Sequence, residues 1–185
     1  MSLVPVSNFL AILSLAAAAA SIVVLVLRLA ATGSDGARGW LAELRAAVGP
    51  YNLWLAWIVA ATAMAGSLYF SLVAGLVPCT FCWYQRIAMY PLAVILLIAA
   101  LRGDIGIRPY ATTLAVIGVA LSAYHTLLQR LPGLPSGSCS LDVPCNAIDL
   151  ERFGFVTIPV MALIGFVSIL VLLWIVTPPD QEAEA

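Results

Sequence analysis

Five predominantly apolar stretches, at roughly 9–31, 53–77, 83–101, 110–131 and 155–177, constrain this chain more than any other feature of its sequence. A helix needs about 20 such residues to cross the hydrocarbon core of a bilayer. The five stretches take up well over half of the 185 residues, leaving no room for a separate soluble domain. Composition agrees: 63% of the residues are hydrophobic and 9% charged, where a soluble domain carries about 25% charged residues. So few charges cannot cover a water-facing surface, so the solvent of this chain is largely the lipid bilayer. A net charge of −1 also argues against nucleic acid, which is bound by clustered basic residues that displace counterions. Disorder is excluded by the high apolar content. The expectation is an all-α integral membrane protein.

Pro91 and Gly165 fall inside two of the stretches, where a membrane helix tolerates them if neighbours satisfy the freed carbonyls. The first stretch reads as an uncleaved anchor. A signal peptide opens with positive charge, whereas the first basic residue here, Arg28, lies beyond most of the apolar run. Arginines then suggest the orientation, since basic residues favour the cytoplasmic side. Arg28, Arg38 and Arg45 flank the connection between the first two stretches, and Arg102 and Arg108 lie between the third and fourth. With both connections inside, the N-terminus and the connections 78–82 and 132–154 face out, Arg130 and Arg152 lie near the outer edges, and the acidic tail 178–185 ends inside. The segment 33–50 places Trp40, Leu41, Leu44 and Val48 at helical spacing, with Arg38, Glu43 and Arg45 on other faces. That pattern fits a short amphipathic helix on the inner surface or a plain loop.

The four cysteines all fall in the two outward connections: Cys79 and Cys82 in Pro-Cys-Thr-Phe-Cys, and Cys139 and Cys145 in the longer loop. Cysteines paired on the oxidising side of a membrane are suited to persistent disulfides, and two pairs in facing loops can pass one disulfide between them. Cys-x-x-Cys at the start of a helix sets backbone N–H groups and the positive dipole end against the sulfurs, which lowers a thiol pKa. The thiolate is the form that exchanges disulfides. Arg86 follows Cys82 by four residues, one helical turn on the same face, and a cation inside an apolar span is a functional suspect by default. Other readings stay open. Cys-x-x-Cys can be half of a zinc site, which wants a second close pair or histidines; both pairs can be structural bridges; and Arg86 can snorkel to the interface.

Electrons taken from a dithiol here need an acceptor, and the sequence carries no haem-attachment motif, flavin fingerprint or further cysteines. A membrane-dissolved quinone needs only an apolar groove between helices, a polar group for its carbonyl and a nearby thiolate. Arg86 can supply the polar group, and Trp83, Tyr84, Met89 and Tyr90 are candidates to line the groove, each equally explicable as packing or interfacial aromatics.

The run Pro78-Cys-Thr-Phe-Cys-Trp-Tyr-Gln-Arg-Ile-Ala-Met-Tyr-Pro91 closely resembles the signature of the DsbB disulfide-bond formation proteins, especially their BdbC-like branch, and Phe153-Gly-Phe-Val-Thr-Ile-Pro159 is similar to the same branch. The resemblance covers roughly 53–177. It implies a four-helix transmembrane bundle in a bacterial inner or plasma membrane, here with one additional N-terminal transmembrane helix. It also implies reoxidation of an extracytoplasmic, DsbA-like thioredoxin-fold thiol oxidase at the expense of the membrane quinone pool, ubiquinone or menaquinone. By that resemblance Cys79 and Cys82 form the quinone-proximal pair, with Cys82 contacting the quinone ring, and Arg86 holds the quinone. Cys139 takes the partner's attack and Cys145 exchanges with Cys79. His125 falls where the family places polar groups near the quinone, or is simply satisfied at the interface. No metal is implied.

Three departures stand out. Residues 1–50 lie outside the four-helix core; the Cys139–Cys145 spacing is short; and Gln85 precedes Arg86 where other members carry an acid. The expected organisation is 1–50 as extra helix and surface segment, 51–178 as the redox domain and 179–185 as an acidic cytoplasmic tail. Two alternatives accompany this reading. One is a VKOR-like quinone-linked enzyme, disfavoured because its loop cysteines precede the Cys-x-x-Cys; the other is a non-catalytic membrane subunit with structural or metal-binding cysteines.

Overall fold

The computed structural model describes residues 3–131, 133–134, 139 and 143–177. Six α-helices follow one another: α1 (Leu3–Ala30), α2 (Asp35–Val48), α3 (Asn52–Leu68), α4 (Thr80–Arg102), α5 (Arg108–Arg130) and α6 (Ile158–Trp174). Among the described residues the β structure is one small antiparallel hairpin, β1 (Glu151–Arg152) with β2 (Val156–Thr157), in the register Glu151↔Thr157. Its turn closes through Phe155 N–H on the Arg152 carbonyl, with Phe153 and Gly154 at φ 54° and 76°. The chain is thus essentially all-helical, as expected.

Among the described residues, four helical stretches are long and apolar enough to cross a membrane: α1, the run from α2 through α3 to Val73, α4, and α5 with the turn before it. The fifth expected span is shorter than 155–177. Its helix α6 has 17 residues, about 26 Å at 1.5 Å per residue, because Val156 and Thr157 are spent on β2. The second stretch also ends early: α3 stops at Leu68, a π-turn covers Tyr69–Val73, and from Gly75, at φ 73°, the chain runs without regular structure to Cys79.

Helices α3 to α6 pack in a ring, each against its neighbours with α3 closing on α6, while α1 lies against the outside of α6. Leu92 and Leu96 of α4 meet Phe166, Ile169 and Leu173 of α6 at the centre, all fully buried. Lipid tails are as apolar as leucine, so helices associate in a membrane through close packing, which small residues permit. Ala56, Ala60, Ala111 and Ala115 serve this in the core. The closest approach is at Gly118 of α5, where a Cβ would lie 2.3 Å from the Phe166 ring. Gly118→Val should therefore destabilise the bundle by about 1–3 kcal/mol, read as a lowered Tm in detergent. Adding Phe166→Leu to the same chain should restore part of the loss; an unchanged Tm in the single variant would show that this contact is not limiting.

The segment after α1 resolves in favour of a helix. Ser34 caps α2, its hydroxyl accepting from Ala37 N–H at 3.5 Å, and Asp35 pairs with Arg38. Leu41 is buried, and Leu44 and Val48 pack on Val24, Val171 and Val176. Trp40, 69% exposed, faces away from that cluster. Arg45 Nε donates to the Ile175 carbonyl at 2.8 Å, placing a cation where the end of α6 leaves its carbonyls unpaired. Asn52 Nδ2 adds a bond to Thr177 Oγ1 at 3.0 Å. The arginines 38, 45, 102 and 108 thus gather at the end of the bundle opposite the cysteines. The expected acidic tail lies outside the described residues.

Candidate redox site

Cys79 is the N-cap of α4, with extended backbone (φ −70°, ψ 172°) and its sulfur accepting from Cys82 N–H at 3.3 Å. One turn on, the Cys82 sulfur lies 2.9 Å from that of Cys79, both as free thiols. The helix start does here what an N-cap oxygen does elsewhere: it satisfies an orphan N–H and faces the positive end of the dipole. The Cys79 thiol is held well below its ordinary range. The hydrogen bond from the Cys82 thiol acts first, burial opposes it, and His125 and the Cys82 backbone N–H add to the lowering.

Cys139 and Cys145 form a disulfide, Cα–Cα 5.8 Å apart. Cys145 is buried at 1% exposure, and Cys139 is half-buried. Cys79, Cys145, Phe81 and Leu128 share one apolar cluster, with Cys82 and Cys139 packed against it. His125 of α5, buried, stands between the pairs. Its Nδ1 lies 3.1 Å from Gln85 Nε2, and its Nε2 lies 3.1 Å from the Cys145 carbonyl and 3.6 Å from the Cys79 sulfur. The amide nitrogen can only donate and the carbonyl can only accept, so the proton sits on Nε2. His125 therefore offers one N–H shared between the Cys145 carbonyl and the Cys79 sulfur. Removing a hydrogen bond to a charged group costs about 1.5–3 kcal/mol, or about 1–2 pH units. His125→Ala should move the midpoint of Cys79 alkylation to higher pH by that amount. Below the wild-type midpoint both proteins are protonated and slow, and the gap opens between the two midpoints. Superimposable profiles would remove this role.

On the other side of α4, Cys82, Gln85, Arg86, Met89 and Tyr90 line a cavity of about 220 Å³. Its remaining walls come from α1, α3, the segment between α3 and α4 (Phe70, Ser71 and Leu76 to Pro78) and α6, and they are mostly apolar, with Asp149 at the edge as an acidic exception. Arg86 is held from α3: its Nε donates to Ser67 Oγ at 2.9 Å and its Nη2 to the Ser67 carbonyl at 3.0 Å. The Tyr90 hydroxyl donates to the same Ser67 Oγ at 3.2 Å, and the guanidinium lies 5.2 Å over the Trp83 ring. A charge-bearing, multiply bonded guanidinium beside a thiol in an apolar pocket can bind a carbonyl oxygen.

The structure brings five of the six sequence-derived site residues to one junction around Cys79. Arg86 is set apart on the cavity side, reached through Cys82. His125 is not among the cavity-lining residues and faces the sulfurs instead. Of the four expected groove residues, Met89 and Tyr90 line the cavity, whereas Trp83 and Tyr84 point outward, 54% and 38% exposed. Ser67, which anchors Arg86, and Gln85, which touches both cavity and His125, carry roles that residue type alone did not signal. Cys79, Cys82 and His125 also place ligand atoms within 4.8 Å of one another, a donor set of the kind zinc takes. A closed structural zinc site uses four ligands, and the His125 nitrogen aimed at Cys79 carries a proton shared with a carbonyl.

The model of the family described as disulfide bond formation protein DsbB matches residues 51–176. Disulfide bond formation protein C of Bacillus subtilis (strain 168) is 45% identical over 132 residues, 70% of this chain and 95% of that protein. A probable disulfide formation protein C of Halalkalibacterium halodurans is 46% identical over 122 residues, 65% of this chain and 89% of its own length. A probable disulfide formation protein of Coxiella burnetii (strain Dugway 5J108-111) is 44% identical over 117 residues, 62% and 80% respectively. No solved structure matches the chain. With its two cysteine pairs at one end of a set of apolar helices, the chain belongs to the DsbB family of disulfide bond formation proteins, a multi-pass membrane protein of an oxidoreductase family.

Proposed function

We propose that this protein is a thiol:quinone oxidoreductase that reoxidises an extracytoplasmic, DsbA-like thioredoxin-fold oxidase and delivers the electrons to the membrane quinone pool. The observation that carries the reading is the junction at His125, where the buried Cys145 end of one disulfide meets the Cys79 end of a dithiol. A thiolate of the reduced partner attacks Cys139, the more exposed sulfur of its pair, and releases Cys145 as thiolate. Cys145 attacks Cys79 of an oxidised Cys79–Cys82 bridge and frees Cys82. The partner's second thiolate then forms its own disulfide and releases Cys139. Cys139 attacks Cys145, restoring the loop disulfide and expelling Cys79, which the low-pKa environment makes a good leaving group. The product of these exchanges is the arrangement described above: a loop disulfide beside a Cys79/Cys82 dithiol.

Oxidation of that dithiol back to a disulfide releases two electrons and two protons, and a quinone in the cavity supplies the acceptor for both. The residues fit such a group: Arg86 would hold a carbonyl oxygen, Cys82 would face the ring, and the apolar walls would take its substituents. His125 serves the sulfur exchange, donating its N–H to the Cys79 thiolate, and acts on the quinone side through Gln85. We further propose that all five apolar helices span the membrane, α1 as an addition to a four-helix redox unit. The cysteine end faces outside and the arginine-rich end inside, with the N-terminus outside and the C-terminus cytoplasmic.

Oxidised protein mixed with a reduced thioredoxin-fold partner that lacks its second cysteine should accumulate a mixed disulfide mapped to Cys139. Supplied with the intact reduced partner and a soluble quinone, it should turn over. Folded protein that forms no mixed disulfide and reduces no quinone would overturn the reading in favour of a structural role for the cysteines.

A further inference from the structure

Helix α1 lies outside the matched residues 51–176, yet it closes one side of the cavity that holds the Cys82 thiol and Arg86. It contributes Leu10, Leu13, Ser14 and Ala17, a spacing of i, i+3, i+4 and i+7 that defines one continuous helix face. That face runs about 10 Å down the helix at 1.5 Å per residue.

Three contacts hold it in place. A Cβ on Gly66 of α3 would come 2.9 Å from Leu10 Cδ1, so the two helices touch where α3 has no side chain. Ser21 Oγ and Ser168 Oγ share a buried hydrogen bond of 3.0 Å between α1 and α6. At the cysteine end, Arg152 Nε donates to Ser7 Oγ at 2.9 Å. The polar tethers at Ser7 and Ser21 lie on either side of the 10–17 face and fix the rotation of the helix, which a mere anchor does not need. Phe9, Ile12, Ile22 and Val26, each more than half exposed, are left for lipid.

The dimensions say what the wall is for. At about 220 Å³ the cavity is smaller than the roughly 300–1,000 Å³ of sites that enclose a drug-sized ligand. It takes a single ring and the start of a chain. The ring end is marked by Cys82 and Arg86, at the level of Leu10 and Gly66; Ala17 lies two turns deeper.

We propose that α1 is the chain-binding wall of the quinone site: its 10–17 face guides the apolar chain from the ring-binding end toward the bilayer. This rests on the quinone reading above and adds a binding surface from outside the family's matched region.

The test is direct binding to the full-length protein, followed by quenching of tryptophan fluorescence, with a long-chain quinone and a quinone lacking the chain. Ala17→Phe places a ring across the deep end and should raise Kd for the long-chain quinone about tenfold. Kd for the chainless quinone should stay within about twofold. Leu13→Ala, which removes wall without adding bulk, should weaken long-chain binding in the same selective way and stands in if the larger residue prevents folding. Unchanged long-chain binding in folded variants, or equal weakening for both quinones, would overturn the role of α1. Wild-type protein that binds neither quinone would instead overturn the quinone reading itself, so the two failures are distinguishable.

Discussion

Cys82→Ser protein should reduce quinone at least about a thousandfold more slowly than wild type, equivalent to about 4 kcal/mol of barrier, while remaining folded. The size of the effect follows from stoichiometry. A two-electron acceptor is reduced by two thiols becoming one disulfide, and Cys79 alone can form that bond only with a sulfur that the loop pair already uses. The small stability cost follows from what Cys82 touches. Its contacts are the Cys79 sulfur at 2.9 Å and packing at the edge of the apolar cluster, and a single hydrogen bond contributes about 0.5–1.5 kcal/mol. Turnover and Tm thus separate the redox reading from a structural bridge. A redox cysteine loses rate and keeps most of its melting temperature, whereas a bridge would lose melting temperature first. Quinone reduction by Cys82→Ser protein within tenfold of wild type would remove Cys82 from the electron path.

The apolar stretches and the position of the cysteines were legible because both depend on local, additive properties: hydropathy over twenty residues, and a Cys-x-x-Cys at a helix start. The helix of residues 35–48 was visible only as one of two readings, since its amphipathic period is short and its stabilising contact, Arg45 on the Ile175 carbonyl, is 130 residues distant in sequence. Residue type alone points to Trp83 and Tyr84 as groove residues. Register would have served better, since Cys82, Gln85, Arg86 and Met89 stand at i, i+3, i+4 and i+7 and residues 83 and 84 fall off that face. His125 illustrates a different limit. Its position near the outer end of α5 is readable, but a histidine has two nitrogens, and their partners, Gln85 on one side and Cys145 and Cys79 on the other, come from other elements. Ser67 carried no signal at all. A serine in an apolar helix usually bonds its own preceding turn, and nothing local shows that this one accepts from an arginine 19 residues on.

That serine shapes the second large expected effect. Arg86→Met should raise the KM for quinone by about 10- to 100-fold, as expected for loss of a charge-assisted hydrogen bond worth about 1.5–3 kcal/mol, with a smaller change in kcat. The guanidinium is fixed before any ligand arrives: two of its N–H donors are committed to Ser67 Oγ and the Ser67 carbonyl, and its face lies over Trp83. Pre-positioning of this kind means that binding does not have to immobilise a flexible side chain. Arg86→Lys should therefore rescue poorly, because an ammonium keeps the charge but cannot hold both Ser67 contacts and still present planar donors to the cavity. Ser67→Ala keeps the arginine and removes one anchor, together with the acceptor of the Tyr90 hydroxyl, and should raise KM by about 3- to 10-fold, the worth of a bond of roughly 0.5–1.5 kcal/mol. The order Met above Ala, with Lys close to Met, is the signature of a positioned guanidinium. If Lys restored wild-type KM, Arg86 would be acting as a simple point charge; if Met left KM unchanged, the arginine would be one more interfacial cation, and the cavity would have to find its carbonyl partner elsewhere.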